Sequence, residues 1–203
     1  MSIPAVAIDD AHASPARPWH VLVYRIPSEP TRLRATVWRR LKGLGAVYLQ
    51  NSVAALPASA NSERALRKLR HEISEMSGTA VLMLSTVLVG ESTVMGVYQA
   101  ARSEEYEEIL DRCRDFLAGL EKEYAASHFT YAELEENEVD LTKLQSWCDK
   151  IVTRDEFGAP GRAEAEESLA ACSVAASSLA TEIACVRYTR LRAAACRAYA
   201  TGN

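Results

Sequence analysis

The sequence predicts an α+β protein: a basic α/β module of βαββαβ order over residues 19–89, then an acidic all-helical module over residues 90–203, preceded by a disordered leader at 1–18. Three observations carry this reading. Runs of β-branched and aromatic residues alternate with helical patterns up to residue 89, the signature of mixed strands and helices. From Ser103 onward the apolar residues recur only at three- and four-residue steps, which is the helical period. The charge also changes sign: residues 17–89 hold 11 Lys/Arg against 4 Asp/Glu, whereas residues 90–160 hold 7 against 17. That asymmetry is hidden in a net charge of −4 and marks two units with different surfaces.

Each element has a local reason. Trp19 to Ile26 (WHVLVYRI) is β-branched and aromatic and stops at Pro27, so it reads as a strand. Ser28, ahead of Glu29 and Pro30, is the expected N-cap of a first helix with acid and proline in its first turn. Leu33, Val37, Leu41 and Leu44 supply its apolar stripe, and the Gly43/Gly45 pair ends it. Ala46–Leu49 and Ser52–Leu56 read as two short strands joined at Gln50-Asn51, with Pro57 as the stop. Asn61 is the expected cap of a second helix running through Met76, with Leu66, Leu69 and Ile73 on one face. Gly78 closes it. Thr79–Leu84 then reads as a final strand whose near-continuous apolar run suits the interior of a sheet. The order is the split βαβ, or ferredoxin-like, arrangement.

The remainder reads as an antiparallel three-helix bundle with a long C-terminal helix. The first helix starts at Ser103 and carries Tyr106, Ile109, Cys113, Phe116 and Leu120. The second starts at Thr130, where Thr-Tyr-Ala-Glu forms a capping box with Glu133. DEFGAPG breaks the run. The third helix shows a short heptad seam of Leu169, Cys172, Ala176, Leu179, Ile183 and Val186. Beyond it Arg190 and Arg197 interrupt the seam, so the last dozen residues are expected to fray or to meet a partner.

Composition excludes several classes. A chain of 203 residues with 48% hydrophobic and 25% charged residues is an ordinary globular protein, long enough to fold without a disulfide or metal staple. The longest apolar stretch, Thr79 to Val89, is interrupted by Ser85 and Thr86 and is too short to span a bilayer. Asp9 and Asp10 fall where a secretory leader needs its apolar centre, so a cytoplasmic location without membrane contact is expected. Cys113, Cys148, Cys172, Cys185 and Cys196 are odd in number and contain no C-x-x-C pair, and they read as reduced thiols acting as small core residues.

The chemistry-bearing residues are basic. Arg25, Arg32, Arg34, Arg39 and Arg40 gather around the first helix, with Lys42. At roughly 100° per residue, Arg32 and Arg39 share one flank, Arg34 and Trp38 the other, and Arg40 falls near the apolar stripe. A guanidinium on that stripe must reach solvent or meet an acceptor, and a structural carboxylate, from the acidic module for instance, is the plainer partner. Held open instead, such groups form donor forks for an oxyanion or a nucleic-acid phosphate. The carboxylates are less diagnostic. Glu104, Glu105, Glu107 and Glu108 are placed in the first turns of their helix, where the dipole favours acids. Glu133, Glu135, Glu136, Glu138 and Asp140 resemble a metal cluster by count alone, with His128 as the nearby histidine. No Gly-rich phosphate loop, G-x-S-x-G or H-E-x-x-H occurs, so no catalytic site, metal or cofactor is expected, and the chain reads as a non-enzyme.

Taken together, VLVYRIPSEPTRLRATVWRRLKGLGAVYLQNSVAALP, AARSEEYEEI, FTYAELEENEVDLTKL and RDEFGAP resemble the N-terminal domain family of the chromate-resistance regulator ChrB over roughly residues 19–186. The resemblance implies a cytoplasmic bacterial protein that senses chromate and regulates an efflux gene, and it carries over Arg25, Arg32, Arg34, Arg39 and Arg40 as the basic candidates. More distantly, the first strand and helix are similar to the ferredoxin-like domains of a CRISPR nuclease and of the phenylacetate repressor. The nuclease ends that strand in Tyr-Asp, its Asp serving metal-dependent cleavage. Here the step is Tyr24-Arg25, and an arginine cannot ligate a cation.

Two classes of function stay open on the sequence. One is a regulatory or sensor protein whose arginines take chromate, another oxyanion or promoter DNA, with a homodimer formed through the C-terminal helix. The other is a metal-binding protein using the carboxylates of the helical part, with a protein–protein adaptor as the blandest option.

Overall fold

The structure, a computed structural model, describes residues 17–126 and 131–200, with residues 131 and 182–200 as backbone only. Its elements are β1 (Pro18–Arg25), α1 (Arg32–Leu44), β2 (Val47–Gln50), β3 (Val53–Pro57), α2 (Ala60–Glu75), β4 (Thr79–Thr86), α3 (Glu91–Ala126), α4 (Tyr131–Arg154) and α5 (Arg162–Ala200). The chain divides into two compact units between Tyr98 and Gln99, inside α3.

In the first unit the four strands form one antiparallel sheet in the order β2-β3-β1-β4. The βαββαβ order read from the sequence is therefore present. On β1 the even-numbered residues His20 and Leu22 turn toward the helices, where Leu22 meets Val37 and Leu41 of α1 and Leu66 and Ile73 of α2 in one buried core. The i, i+4 spacing of Val37 and Leu41 and the i, i+7 spacing of Leu66 and Ile73 place each helix's apolar stripe on the sheet. At the start of β1 the odd-numbered Trp19 is buried with Tyr98 of α3, their rings edge to face with centroids 5.7 Å apart.

The helix ends differ from expectation in two places. Ser28 is not the N-cap of α1. Thr31 occupies that position in αR conformation without a side-chain cap, while Leu33 N–H donates to the Pro30 carbonyl at 3.0 Å. Asn61 does not cap α2. Ser59 does, through a capping box in which Ser62 N–H donates to Ser59 Oγ at 3.1 Å and Ser59 N–H donates to Ser62 Oγ at 2.9 Å. A serine closes this box in place of the usual Glu or Gln, which is why the pattern was not legible. The C-terminus of α1 follows the glycine signal: Gly45 is left-handed at φ 79°, and Ala46 N–H returns to the Leu41 carbonyl.

Strand β4 is a correction of a different kind. Its apolar run suggested an interior strand, but it lies at the edge of the sheet, with Val81, Met83 and Leu84 exposed. A continuous apolar run records that both faces tolerate burial, and it says nothing about which neighbour supplies the second ladder.

The second unit joins α3, α4 and α5 around a core that includes Tyr106, Ile109 and Cys113 of α3, Cys148 and Ile151 of α4, and Cys172 of α5. Cross-helix bonds give the direction. Arg154 reaches Glu105 while Asn137 reaches Glu123, so α3 and α4 run antiparallel; Gln145 bonds Ser173 while Leu134 and Leu141 neighbour Ala180 and Ala176, so α4 and α5 do as well. Helix α3 begins at Glu91, not Ser103, because Gly90 at φ 85° ends the preceding loop and its carbonyl receives Thr93 and Val94 N–H. Thr93, Val94 and Gly96 are weak helix formers, which masks that first segment in the sequence. The earlier start moves Glu104, Glu105, Glu107 and Glu108 to the middle of the helix, away from the dipole's positive end; Glu105 instead pairs with Arg102 at 3.0 Å and Arg154 at 3.2 Å.

DEFGAPG does break the helices. Its buried Asp155 accepts Ala159 N–H at 2.9 Å and the Tyr106 hydroxyl at 3.1 Å, tying the break to α3. Cys113, Cys148 and Cys172 are buried free thiols. Thr130 and His128 lie outside the described residues, as do residues 1–16 of the leader, whose last residue, Pro18, instead opens β1, and the side chains of Ile183, Val186, Arg190, Arg197, Cys185 and Cys196. No helix among the described residues is long and apolar enough to cross a membrane.

Candidate functional site

Where β1 ends, the chain leaves the sheet beside the β2–β3 turn and the start of α1, and the gap between these three pieces is a cleft of about 710 Å³. Tyr24, Arg25 and Ile26 line it from β1 and just beyond, Ser28 from the following loop, Arg34 and Trp38 from α1, and Tyr48, Asn51 and Ser52 from β2 and its turn. The turn is tight: Ser52 is left-handed at φ 65°, and its carbonyl accepts Tyr24 N–H at 3.0 Å, which locks the turn onto β1. A non-glycine residue at positive φ costs of order 1 kcal/mol and is held there by its surroundings.

Arg34 and Ser28 settle the loop over α1. Arg34 Nη2 donates to Ser28 Oγ at 3.1 Å, so the serine expected to cap the helix instead orients a guanidinium. Tyr24 and Tyr48 meet hydroxyl to hydroxyl at 3.0 Å. Burial, reinforced by the bond to Tyr24, pushes the Tyr48 phenol well above its ordinary range, so it stays protonated and able to donate. Arg25 is exposed, and its side chain has no hydrogen-bonded or ionic partner among the described residues. Trp38, half exposed, has the Lys42 ammonium 5.5 Å from its ring centroid. No carboxylate and no histidine line the cleft.

The arginines of the sequence reading do not converge as a set. Arg25 and Arg34 line the cleft. Arg32 stands exposed in the first turn of α1, and Arg39 turns back along the helix, its Nε donating to the Ala35 carbonyl at 3.3 Å. Arg40 is not on the buried stripe; its side chain is 59% exposed and approaches Glu72 of α2 at 3.7 Å. The carboxylate that meets it thus comes from the same basic module, and the acidic module is not needed for it. Tyr24, Tyr48, Ser28, Asn51 and Ser52 were not anticipated. One signal was available for the tyrosines: Tyr24 shares strand parity with buried Leu22 but sits at the strand's end, where a phenol can fill the core and still reach solvent.

Chemically, two guanidinium forks, two phenols and the hydroxyl and amide groups of Ser28, Asn51 and Ser52 form a donor-rich, cationic recess. Such a set has the donor chemistry that suits an oxygen-rich anion, and no carboxylate or histidine base stands among its lining residues. Among the described residues, no group of three or more His, Cys, Asp or Glu side chains is placed to hold a metal.

Comparison with known proteins agrees with the helical half as well as with α1 onward. The family model described as Protein ChrB, N-terminal, matches residues 34–188. No curated protein matches the chain. The match begins at Arg34, so it takes in the α1 wall of the cleft and the β2–β3 turn, while Tyr24 and Arg25 lie just ahead of it. Covering three quarters of the sequence, from α1 well into α5, it shows that the chain belongs to the ChrB N-terminal family and is related to chromate resistance.

Proposed function

We propose that this chain is a cytoplasmic regulatory protein of chromate resistance that holds a tetrahedral oxyanion, chromate or a relative of it, in the cleft between β1, α1 and the β2–β3 turn. One observation carries the reading: Arg25 and Arg34 line one recess with the hydrogen-bonded Tyr24–Tyr48 pair, and no carboxylate lines it with them. A tetrahedral dianion has oxygens for both guanidinium forks and for a phenol or hydroxyl at once.

A thermal-shift panel of chromate, sulfate and phosphate tests the proposal, because a ligand that binds only the folded chain raises its melting temperature. Chromate is expected to stabilise the protein, and Arg34→Ala and Arg25→Gln are each expected to remove that response. Equal stabilisation by every anion, or a chromate response unchanged in both variants, would sink the sensor reading.

A second reading draws on the exposed arginines outside the cleft. Arg32 and Arg39 stand on the outer surface of α1, where they suit the phosphates of promoter DNA. Binding of that kind weakens linearly in log salt, and the slope should shrink by about one unit for each arginine removed. Absence of DNA binding at low salt would leave the anion reading alone.

A further inference from the structure

The two edges of the sheet differ in a way that the cleft does not explain. At one edge β2 is four residues long, and its register shifts between Tyr48 and Gln50. Shortness and irregularity are the usual protections of an edge strand. At the other edge β4 is eight residues long, pairs with β1 in unbroken register from Thr79 to Thr86, and contains no charge and no proline. Its Val81 and Leu84 side chains are 57% and 68% exposed. A long, regular, apolar edge that no strand pairs among the described residues, and that only the Arg70 side chain covers, at Ala80, is a template for another strand.

The outward-facing backbone groups of β4 can be assigned. Tyr24 N–H points toward β3, where it meets the Ser52 carbonyl, so its partner Ala80 turns its own N–H and carbonyl away from β1. Arg70 of α2 confirms this by donating Nε to the Ala80 carbonyl at 3.2 Å. By the two-residue alternation, Leu82 and Leu84 also face the open edge.

We propose that a second copy of this chain docks here, its β4 running antiparallel to the first about a two-fold axis at Leu82, to make one continuous eight-stranded sheet. Side-chain size and charge both fit that occupant. The axis sets small Ala80 opposite the exposed Leu84 of the second copy, and Val81 opposite Met83. It also aligns the two α2 helices, which lie on the same side of the joined sheet. Leu84 pairs with His20, whose Nδ1 bonds Ser62 Oγ at 2.9 Å, so the Glu63 end of α2 lies beside Leu84; the Arg70 end lies beside Ala80. Two-fold pairing therefore brings Arg70 of each copy to Glu63 of the other. Arg67, between them, already pairs with Glu63 of its own helix at 2.7 Å, so in the dimer each Glu63 carboxylate is shared between that Arg67 and the incoming Arg70. Six backbone groups on each copy would be satisfied once Arg70 exchanges the Ala80 carbonyl for the incoming Glu63.

Sedimentation or light scattering of the full chain across a concentration series tests the proposal, with circular dichroism to check that each variant folds. The wild type is expected at twice the chain mass. Leu84→Lys sets a cation against Arg70 of the second copy and should raise the dimer dissociation constant by roughly tenfold or more. Arg70→Glu should weaken the dimer too, and Glu63→Arg combined with Arg70→Glu should restore it by exchanging the two charges. Should Leu84→Lys fail to fold, Arg70→Glu and its rescue on the exposed helix surface still decide the matter. A monomer at all concentrations overturns the proposal and leaves the edge to a strand of another protein. A dimer indifferent to both single variants also overturns it, and would point to the C-terminal helix.

Discussion

The hydroxyls of Tyr24 and Tyr48 meet at 3.0 Å although their strands are not neighbours: β3 lies between β1 and β2. The phenols bridge over β3 because the residue beneath is small; Ala54 pairs with Tyr48 on one side and Leu22 on the other. Both phenols line the cleft, and Tyr24 and Tyr48 also pack against the core of the sheet.

The bridge makes a pH-dependent prediction. Tyr48 is raised above its ordinary value in the folded chain, so the folded state keeps its proton where the unfolded chain, with a tyrosine near about 10, releases it. The stabilisation is therefore complete below that value and is lost as pH rises past it. Urea unfolding from pH 9 to pH 11 should show falling stability, with a shallower fall in Tyr48→Phe. At neutral pH the same variant should cost about 0.5–1.5 kcal/mol, the worth of one hydrogen bond.

Gly78 supports Arg25 from below. A Cβ at this position would stand 2.7 Å from the Arg25 carbonyl and 2.8 Å from Ile73 Cγ2. Gly78→Ala should therefore cost about 1–3 kcal/mol by overpacking, read as a lower urea midpoint. If the cleft depends on the position of Arg25, the melting-temperature rise produced by chromate should fall as well.

Arg34 and Arg40 separate the site from its surroundings. Arg40 forms an exposed pair with Glu72, worth about 0–1 kcal/mol. Arg40→Ala should unfold nearly as the wild type does and keep its response to chromate, while Arg34→Ala should lose that response. The same titration series on the two variants checks both expectations, and an equal loss in both would contradict the placement of the site.

Asp155 anchors the break between α4 and α5. It is buried and accepts both the Ala159 amide and the Tyr106 hydroxyl. Asp155→Ala should destabilise the chain by about 2–4 kcal/mol, because two buried donors lose a charged acceptor at once. Thermal unfolding should show this without any change in anion affinity at temperatures where the variant is folded.

The order and type of the elements were legible in the residues themselves. Alternation and the three-to-four step are local properties, and Trp19–Ile26 or Leu66–Leu69–Ile73 show them within a single element. The glycine ending α1 and the DEFGAPG break were legible for the same reason, since each acts on its own backbone. What required the tertiary structure was every relationship between distant segments. Arg32, Arg34, Arg39 and Arg40 are chemically alike, yet Arg34 alone among them joins Arg25 in the cleft, because the segments that complete the cleft come from other elements. Ser28 reads as a cap by composition, but the actual path of the loop brings it to Arg34. Strand β4 carries the pattern of a buried strand and lies at an edge, because periodicity records the faces of a strand and not its neighbours. The amino-acid order thus determined what each segment is; chain packing alone decided which of its groups meet and which remain open to a ligand or a second copy.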